Sequence, residues 1–268
     1  MRSRGPRADR RQAAERRLSA PALSTRGLDK SFGSLVVAKD IALTLPRGER
    51  YALIGPNGAG KTTLINLMTG MLPLDGGRIF LGEDEITTLT PEERVRRGLV
   101  RTFQINTLFP HLNALEAVAL AVCERRGVAD VFWRRLPAFR EAVDEAHDIL
   151  VALRLGASWR RPTRELAYGQ QRLLEIALAL ATKPKVLLLD EPAAGVPHDE
   201  SVELFDAIAS LSQDIAVLFI EHDMNVVFRF ARRIIVMVDG RILVEGSPDE
   251  IATDPRVREV YLGGPRHG

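Results

Sequence analysis

The stretch Gly55–Thr63, GPNGAGKTT, restricts what this chain can fold into more than any other part of it. Gly55, Gly60, Lys61 and Thr62 fit the spacing G-x-x-x-x-G-K-[ST], with Pro56, Asn57, Gly58 and Ala59 in the interval and Thr63 following. Such a loop turns backbone N–H groups inward onto phosphate oxygens, and Gly58 and Gly60, which carry no Cβ, permit the close approach. Lys61 then adds a point charge at the β- and γ-phosphates, and the Thr62 hydroxyl is suited to ligate Mg²⁺. The flanks agree: ERYALIG is apolar and strand-like, and TTLINLMTG has helical spacing with an N-terminus suited to an anion. Strand, phosphate loop and helix in that order predict an α/β domain that binds a nucleoside triphosphate.

At 268 residues, 46% hydrophobic and 27% charged, the chain is long enough to bury a sizeable core. Its formal charge of +2 is uneven. The first seventeen residues hold seven arginines against Asp9 and Glu15; without those seven of 37 basic and two of 35 acidic residues, the body is about −3. No nucleic-acid footprint remains there, so no nucleic-acid partner is expected. The single cysteine, Cys123, excludes an internal disulfide framework, and its apolar run AVALAVC suggests a buried, inert thiol. That run is far shorter than the ~20 residues of a membrane span, and no span is expected.

Residues 1–20 lack apolar periodicity and any secretory hydrophobic segment, and are expected to be a disordered Arg-rich tail or an over-extended translation start. Residues 21–262 are expected to form one nucleotide-binding domain, with a helical subdomain at about 105–180, and 263–268 a C-terminal tail. Short strands with a Pro46–Gly48 turn lead into the loop. Phe32, in the first of these, could return to stack on a base, although a Phe in such a stretch is more often core. Thr90, Pro91 and Glu93 make a capped helix start, as do Ser247, Pro248 and Glu250. LVRTFQ reads as a strand ending in Gln104, a candidate to reach Mg²⁺ and the attacking water. Two segments with apolar faces, LNALEAVALAVCERR and EAVDEAHDILVALRLGA, predict helices separated by a break at VFWRRLPAF.

Two apolar strands then deliver polar residues at their carboxyl ends. VLLL ends at Asp190 and Glu191, where the first acid can reach a metal and the second can orient and polarise water. AVLFI ends at Glu221, His222 and Asp223, and His222 could hydrogen-bond a γ-phosphate oxygen, or be merely structural. Between the helical segments and VLLL lies Leu166, Ala167, Tyr168, Gly169 and Gln170, which opens a strongly apolar helix and offers a second set of N-terminal amides to an anion. Asp239–Gly240 predicts a hairpin turn.

The phosphate loop, Gln104, LAYGQ, LLLDEP and His222, in this order, resemble the ATP-binding cassette (ABC) ATPases of membrane transporters over about 23–262. The resemblance implies an α/β fold with a P-loop NTPase (RecA-like) core, an antiparallel β subdomain and a helical signature subdomain. It implies ATP and Mg²⁺ as ligands. Phe32 would stack on adenine; Gly55–Thr63 would hold the phosphates; Thr62, Gln104 and Asp190 would serve Mg²⁺. Glu191 would be the general base and His222 the γ-phosphate sensor. Two cassettes would pair head to tail, so that Leu166–Gln170 acts on the other subunit's nucleotide. The family's usual LSGGQ has Ala167 and Tyr168 here in place of its serine and first glycine, which removes the serine hydroxyl's bond to phosphate. Pro197 stands where Asp or Asn is common.

LAYGQQRLLEIA, LDEPAAG, IEHDMNVVF and VREVYLGG further resemble the high-affinity branched-chain amino acid importer ATPases of the larger paralogous type. The partners implied are a second ATPase, identical or paralogous, two permease subunits and an extracytoplasmic binding protein, at the cytoplasmic face of the membrane. Related ATPases serve urea and short-chain amide importers. A soluble, non-transporting cassette ATPase or a small-molecule P-loop kinase are the rival readings; one cassette without sustained heptads disfavours the former, and LAYGQ the latter.

Overall fold

The computed structural model describes residues 20–102, 111–128 and 139–262. Most of the Arg-rich tail, Gln104, most of the VFWRRLPAF break and residues 263–268 lie outside them.

The chain begins with β1 (Leu23–Phe32), β2 (Leu35–Ile41) and β3 (Thr44–Leu45). With β5 (Gly76–Leu81) and β6 (Asp84–Glu85) they form an antiparallel sheet in the order β2-β1-β5-β6, β3 pairing with β1. Leu23, Thr25, Leu28 and Lys30 of β1 point inward between more exposed neighbours, as a strand with one wet face requires. The inward set changes parity at Gly27, whose φ of 57° lies within a shift of the β1–β5 register.

Between these strands lie β4 (Arg50–Ile54) and α1 (Lys61–Thr69). Then follow α2 (Pro91–Arg97), β7 (Leu99–Arg101), α3 (Ala114–Arg125), α4 (Arg140–Ala152), α5 (Tyr168–Ala181), β8 (Val186–Asp190), α6 (His198–Ala209) and β9 (Ala216–Ile220). The described part closes with α7 (Met224–Phe230), β10 (Arg233–Val238), β11 (Arg241–Gly246), α8 (Pro248–Thr253) and α9 (Pro255–Leu262). A second sheet runs β11-β10-β4-β9-β8-β7 and is parallel except for the β10–β11 hairpin. That hairpin turns at Asp239 and Gly240, both at positive φ, as two-residue turns of this kind demand.

β8 and β9 show no polar alternation because both of their faces are covered. Leu187, Leu189, Val217 and Phe219 join one core with the helices α3–α6, whereas Val186, Leu188, Leu218 and Ile220 join another with α1 and the antiparallel sheet. Each such side chain, fully buried, contributes about 1.5–3 kcal/mol. The helical layer is held at α3 by an Asn113–Glu116 capping box and at its far end by Arg125, both of whose terminal nitrogens donate to Glu145. Capping boxes at Thr90–Glu93 and Ser247–Glu250 match the sequence expectation.

Because β4, β9, β8 and β7 are parallel neighbours, their carboxyl ends share one edge. Gly55, Glu221, Asp190 and Arg101 are therefore brought side by side from four distant parts of the chain.

Candidate functional site

Gly55–Thr63 leaves the end of β4 and enters α1 through Gly60, which caps the helix at φ 98°. Gly60 is needed at its position: a Cβ there would lie 2.5 Å from the carbonyl oxygen of Val37, in the antiparallel sheet. At Gly55 a Cβ would meet the Met237 carbonyl oxygen at 2.1 Å. At Gly58 the surrounding protein leaves the space open, and its φ of 82° calls for glycine. The hairpin turn clamps the loop from below, Gly240 N–H donating to Ala59 O at 3.0 Å.

Lys61 is buried, and its ammonium donates to Gly55 O at 2.7 Å and Pro56 O at 3.0 Å. Two of its three protons hold the loop's shape, leaving one for a ligand. Burial pulls its pKa below the usual lysine value, opposed by the nearby Glu191 and Asp190 charges. Asn57, Gly58, Ala59, Gly60, Lys61, Thr62 and Thr63 line one pocket, whose other walls are Val37, Glu191 and His222. The loop and the two strand-end residues singled out in sequence thus meet around one space.

Glu191 adopts φ 49°, a left-handed conformation costing on the order of 1–2 kcal/mol in a residue with a Cβ. Its N–H donates to Ile220 O at 3.0 Å, anchoring the turn to β9. His222 Nε2 lies 2.9 Å from Glu191 Oε1. Behind them the buried Glu221 accepts from Ala193 N–H at 2.9 Å and His222 N–H at 3.2 Å, so one carboxylate fixes the turns carrying both residues. Burial raises its pKa, against the pull of those two bonds.

A second pocket is lined by Thr62, Arg101, Asp190 and Glu191. Burial raises the Asp190 pKa, and the Arg101 guanidinium, 2.6 Å away, opposes the rise. The Thr62 hydroxyl and the Asp190 and Glu191 carboxylates line this space, and such hard oxygen donors suit Mg²⁺. Among the described residues no cluster of three His, Cys, Asp or Glu side chains could hold a metal without such help.

Phe32 is 52% exposed at the β1–β2 turn, with Leu35 and Val36 also exposed beside it, so the core alternative fails. Val37 of the same β2 strand reaches the phosphate-loop pocket. Leu166, Ala167, Tyr168, Gly169 and Gln170 stand at the start of α5 and line neither pocket. Gln170 Oε1 accepts from Ala167 N–H at 3.3 Å and thereby caps a helix whose N-cap has no polar side chain. Tyr168 is exposed, and its hydroxyl accepts from Arg172 at 2.7 Å. Gly169 N–H donates to Glu200 of α6 at 3.0 Å.

A family model described as "ABC transporter" matches residues 38–194, and one described as "Branched-chain amino acid ATP-binding cassette transporter" matches residues 241–267. The chain belongs to the ABC transporter family. Its cassette is 40% identical over 254 residues to the high-affinity branched-chain amino acid transport ATP-binding protein LivG of Salmonella typhimurium, covering 92% of this chain and 99% of that one. It is also 40% identical over 255 residues to BraF of Pseudomonas aeruginosa, a protein of the same description, with the same coverage. A crystal structure of an ABC transporter's ATP-binding cassette in its ADP conformation superposes with a TM-score of 0.80 at 33% identity, over 91% of this chain and 99% of that one. The expected fold, a P-loop ATPase cassette with an antiparallel sheet and a helical layer, is the one observed. No helix among the described residues is long and apolar enough to cross a membrane.

Four residues that tie together the elements around these pockets escaped the sequence reading: Asn66, Arg101, Glu200 and, beneath α1, Arg94. Arg101 left a trace, a cation ending the apolar strand that leads to Gln104. Asn66, Glu200 and Arg94 left none, since each sits in a helix where a polar residue is ordinary.

Proposed function

We propose that this cassette is the ATP-hydrolysing subunit of an importer of branched-chain amino acids. It would work at the cytoplasmic face of the membrane, paired head to tail with a second ATPase and docked on two permease subunits that an extracytoplasmic binding protein supplies. The observation that carries the hydrolytic reading is the Glu191–His222 pair facing Lys61 and the phosphate loop across one pocket. The substrate class is supported by the names of the relatives and by the match over residues 241–267.

The loop amides and the remaining Lys61 proton bind the phosphates, and the exposed Phe32 offers its ring to adenine. Thr62 and Asp190, with Gln104 as a further ligand, would hold Mg²⁺, which would supply charge neutralisation at the phosphates. Glu191 accepts a proton from the attacking water and aligns it with the γ-phosphorus, while His222 turns a ring nitrogen toward a γ-phosphate oxygen. Leu166–Gln170, which line neither pocket of their own chain, supply backbone amides to the partner's nucleotide. Ala167 has no hydroxyl to add, so this contact rests on the helix N-terminus.

The test is transport by the assembled complex of this chain with its permeases and binding protein. Uptake of leucine, isoleucine and valine driven by ATP, and lost with Glu191→Gln, is the expected result. Uptake of urea or short-chain amides instead would overturn the substrate class and leave the ATPase reading intact.

A further inference from the structure

Arg101 ends β7 opposite Leu188 of β8 in the parallel register, so its side chain reaches along the neighbouring strand to Asp190. Its Nη2 donates to Asp190 Oδ2 at 2.6 Å, and both side chains are 13% exposed. The other arm, Nη1, donates to Asn66 Oδ1 in α1. Asn66 follows Thr62 by four residues and so lies on the same face of that helix. One planar guanidinium therefore joins the strand carrying Asp190 to the helix face carrying Thr62. It also engages Oδ2 of Asp190 while leaving lone-pair sites on the carboxylate for a metal.

We infer that Arg101 is a positioning residue for the divalent cation, bridging Asp190 to Asn66 so that the Asp190 carboxylate and the Thr62 hydroxyl keep the separation the cation requires. This rests on the reading of Asp190 as a metal ligand. A lysine would keep the charge but could not serve two acceptors in fixed directions, so the fork itself is what the role needs. The buried position adds to the demand, since an unpaired Asp190 would have to take up a new orientation toward solvent or Lys61.

The experiment measures Mn²⁺ binding by electron paramagnetic resonance to the full chain saturated with a non-hydrolysable ATP analogue, for the parent, Arg101→Met, Arg101→Lys and Asp190→Asn. Analogue affinity in EDTA and thermal melting are measured alongside. The expected result is about tenfold weaker Mn²⁺ binding in Arg101→Met, a smaller loss in Arg101→Lys, and analogue affinity in EDTA within about twofold of the parent. Arg101→Lys carries the comparison if Arg101→Met does not fold. Parental or tighter Mn²⁺ binding in the Arg101 variants, with Asp190→Asn weakened, would overturn the role of Arg101 alone. Parental binding in Asp190→Asn would overturn the metal-ligand reading and this inference together.

Discussion

His222 Nε2 lies 2.9 Å from Glu191 Oε1, and the two residues stand at the ends of adjacent turns that the single carboxylate of Glu221 holds from behind. The imidazole is thereby aimed at Glu191, the base of the proposed hydrolysis, and the strained φ of Glu191 is maintained by its neighbours. The pair has unequal duties. Glu191→Gln keeps the size and hydrogen-bonding capacity of the side chain but removes its basicity, so hydrolysis should fall by about 10²-fold or more while ATP binding persists. His222→Ala should also lower turnover, leaving Glu191 chemically competent. Single-turnover hydrolysis alongside equilibrium nucleotide binding separates the two effects; parental turnover in Glu191→Gln would remove the base assignment.

Arg94 of α2 supports the phosphate-loop helix from its far end. Its guanidinium is buried and donates to the carbonyl oxygens of Leu67 and Met68 in the last turn of α1, and to those of Thr87 and Leu89. Charge at a helix C-terminus and four satisfied carbonyls act together here. Arg94→Ala should destabilise the protein by about 3 kcal/mol, and lower Tm by roughly 6–12 °C in a chain of this size. Calorimetry reads this directly, and a Tm within a degree or two of the parent would show that water replaces the guanidinium without loss.

Much of this architecture could be read from the chain because it depends on local patterns. The phosphate loop, the capped starts at Thr90 and Ser247, and the Asp239–Gly240 turn are written within a few consecutive residues. Asp190 and His222 could be found because each ends an apolar run, and a run buried on both faces has to stop where its strand leaves the core. What could not be read is pairing across distance. Glu200 with Gly169 and Arg101 with Asn66 are contacts between separate elements, and no spacing in sequence encodes them. Phe32 illustrates the same limit: its apolar character was evident, but whether it faced core or solvent depended on where β1 ended.

Glu145 gives the helical layer a dependence on acid. It accepts from Arg125 and Arg126 and lies 3.3 Å from Lys183, and those cations hold its carboxyl at about 2, against about 4.5 when unfolded. Because the folded value is the lower one, its stabilisation is fully present above about pH 4.5 and is lost as pH falls towards about 2. After allowance for solvent screening it contributes on the order of 1–2 kcal/mol at neutral pH. The difference in urea midpoint between the parent and Glu145→Gln should be widest at pH 7 and narrow below about pH 4.5. A gap independent of pH would mean that geometry, and not ionisation, carries the contact.

Glu200 poses a conflict between stability and assembly. Its Oε2 accepts from Gly169 N–H at 3.0 Å, placing a carboxylate on the amide-bearing end of α5 that the proposed pairing would turn toward another subunit's phosphates. A negative charge at a helix N-terminus stabilises the fold by about 0.3–1 kcal/mol. The same charge competes with phosphate for that amide and repels it. Glu200→Ala should therefore move two measurements in opposite directions. Melting temperature should fall slightly, while ATP-driven pairing in a Glu191→Gln background, followed by analytical ultracentrifugation, should reach its midpoint at several-fold lower ATP concentration. Glu200→Gln keeps an acceptor oxygen without the charge and should fall between. Weaker pairing in Glu200→Ala would show instead that Glu200 holds the signature loop in its working shape, with the Gly169 amide reserved for Glu200 in both the single and the paired cassette.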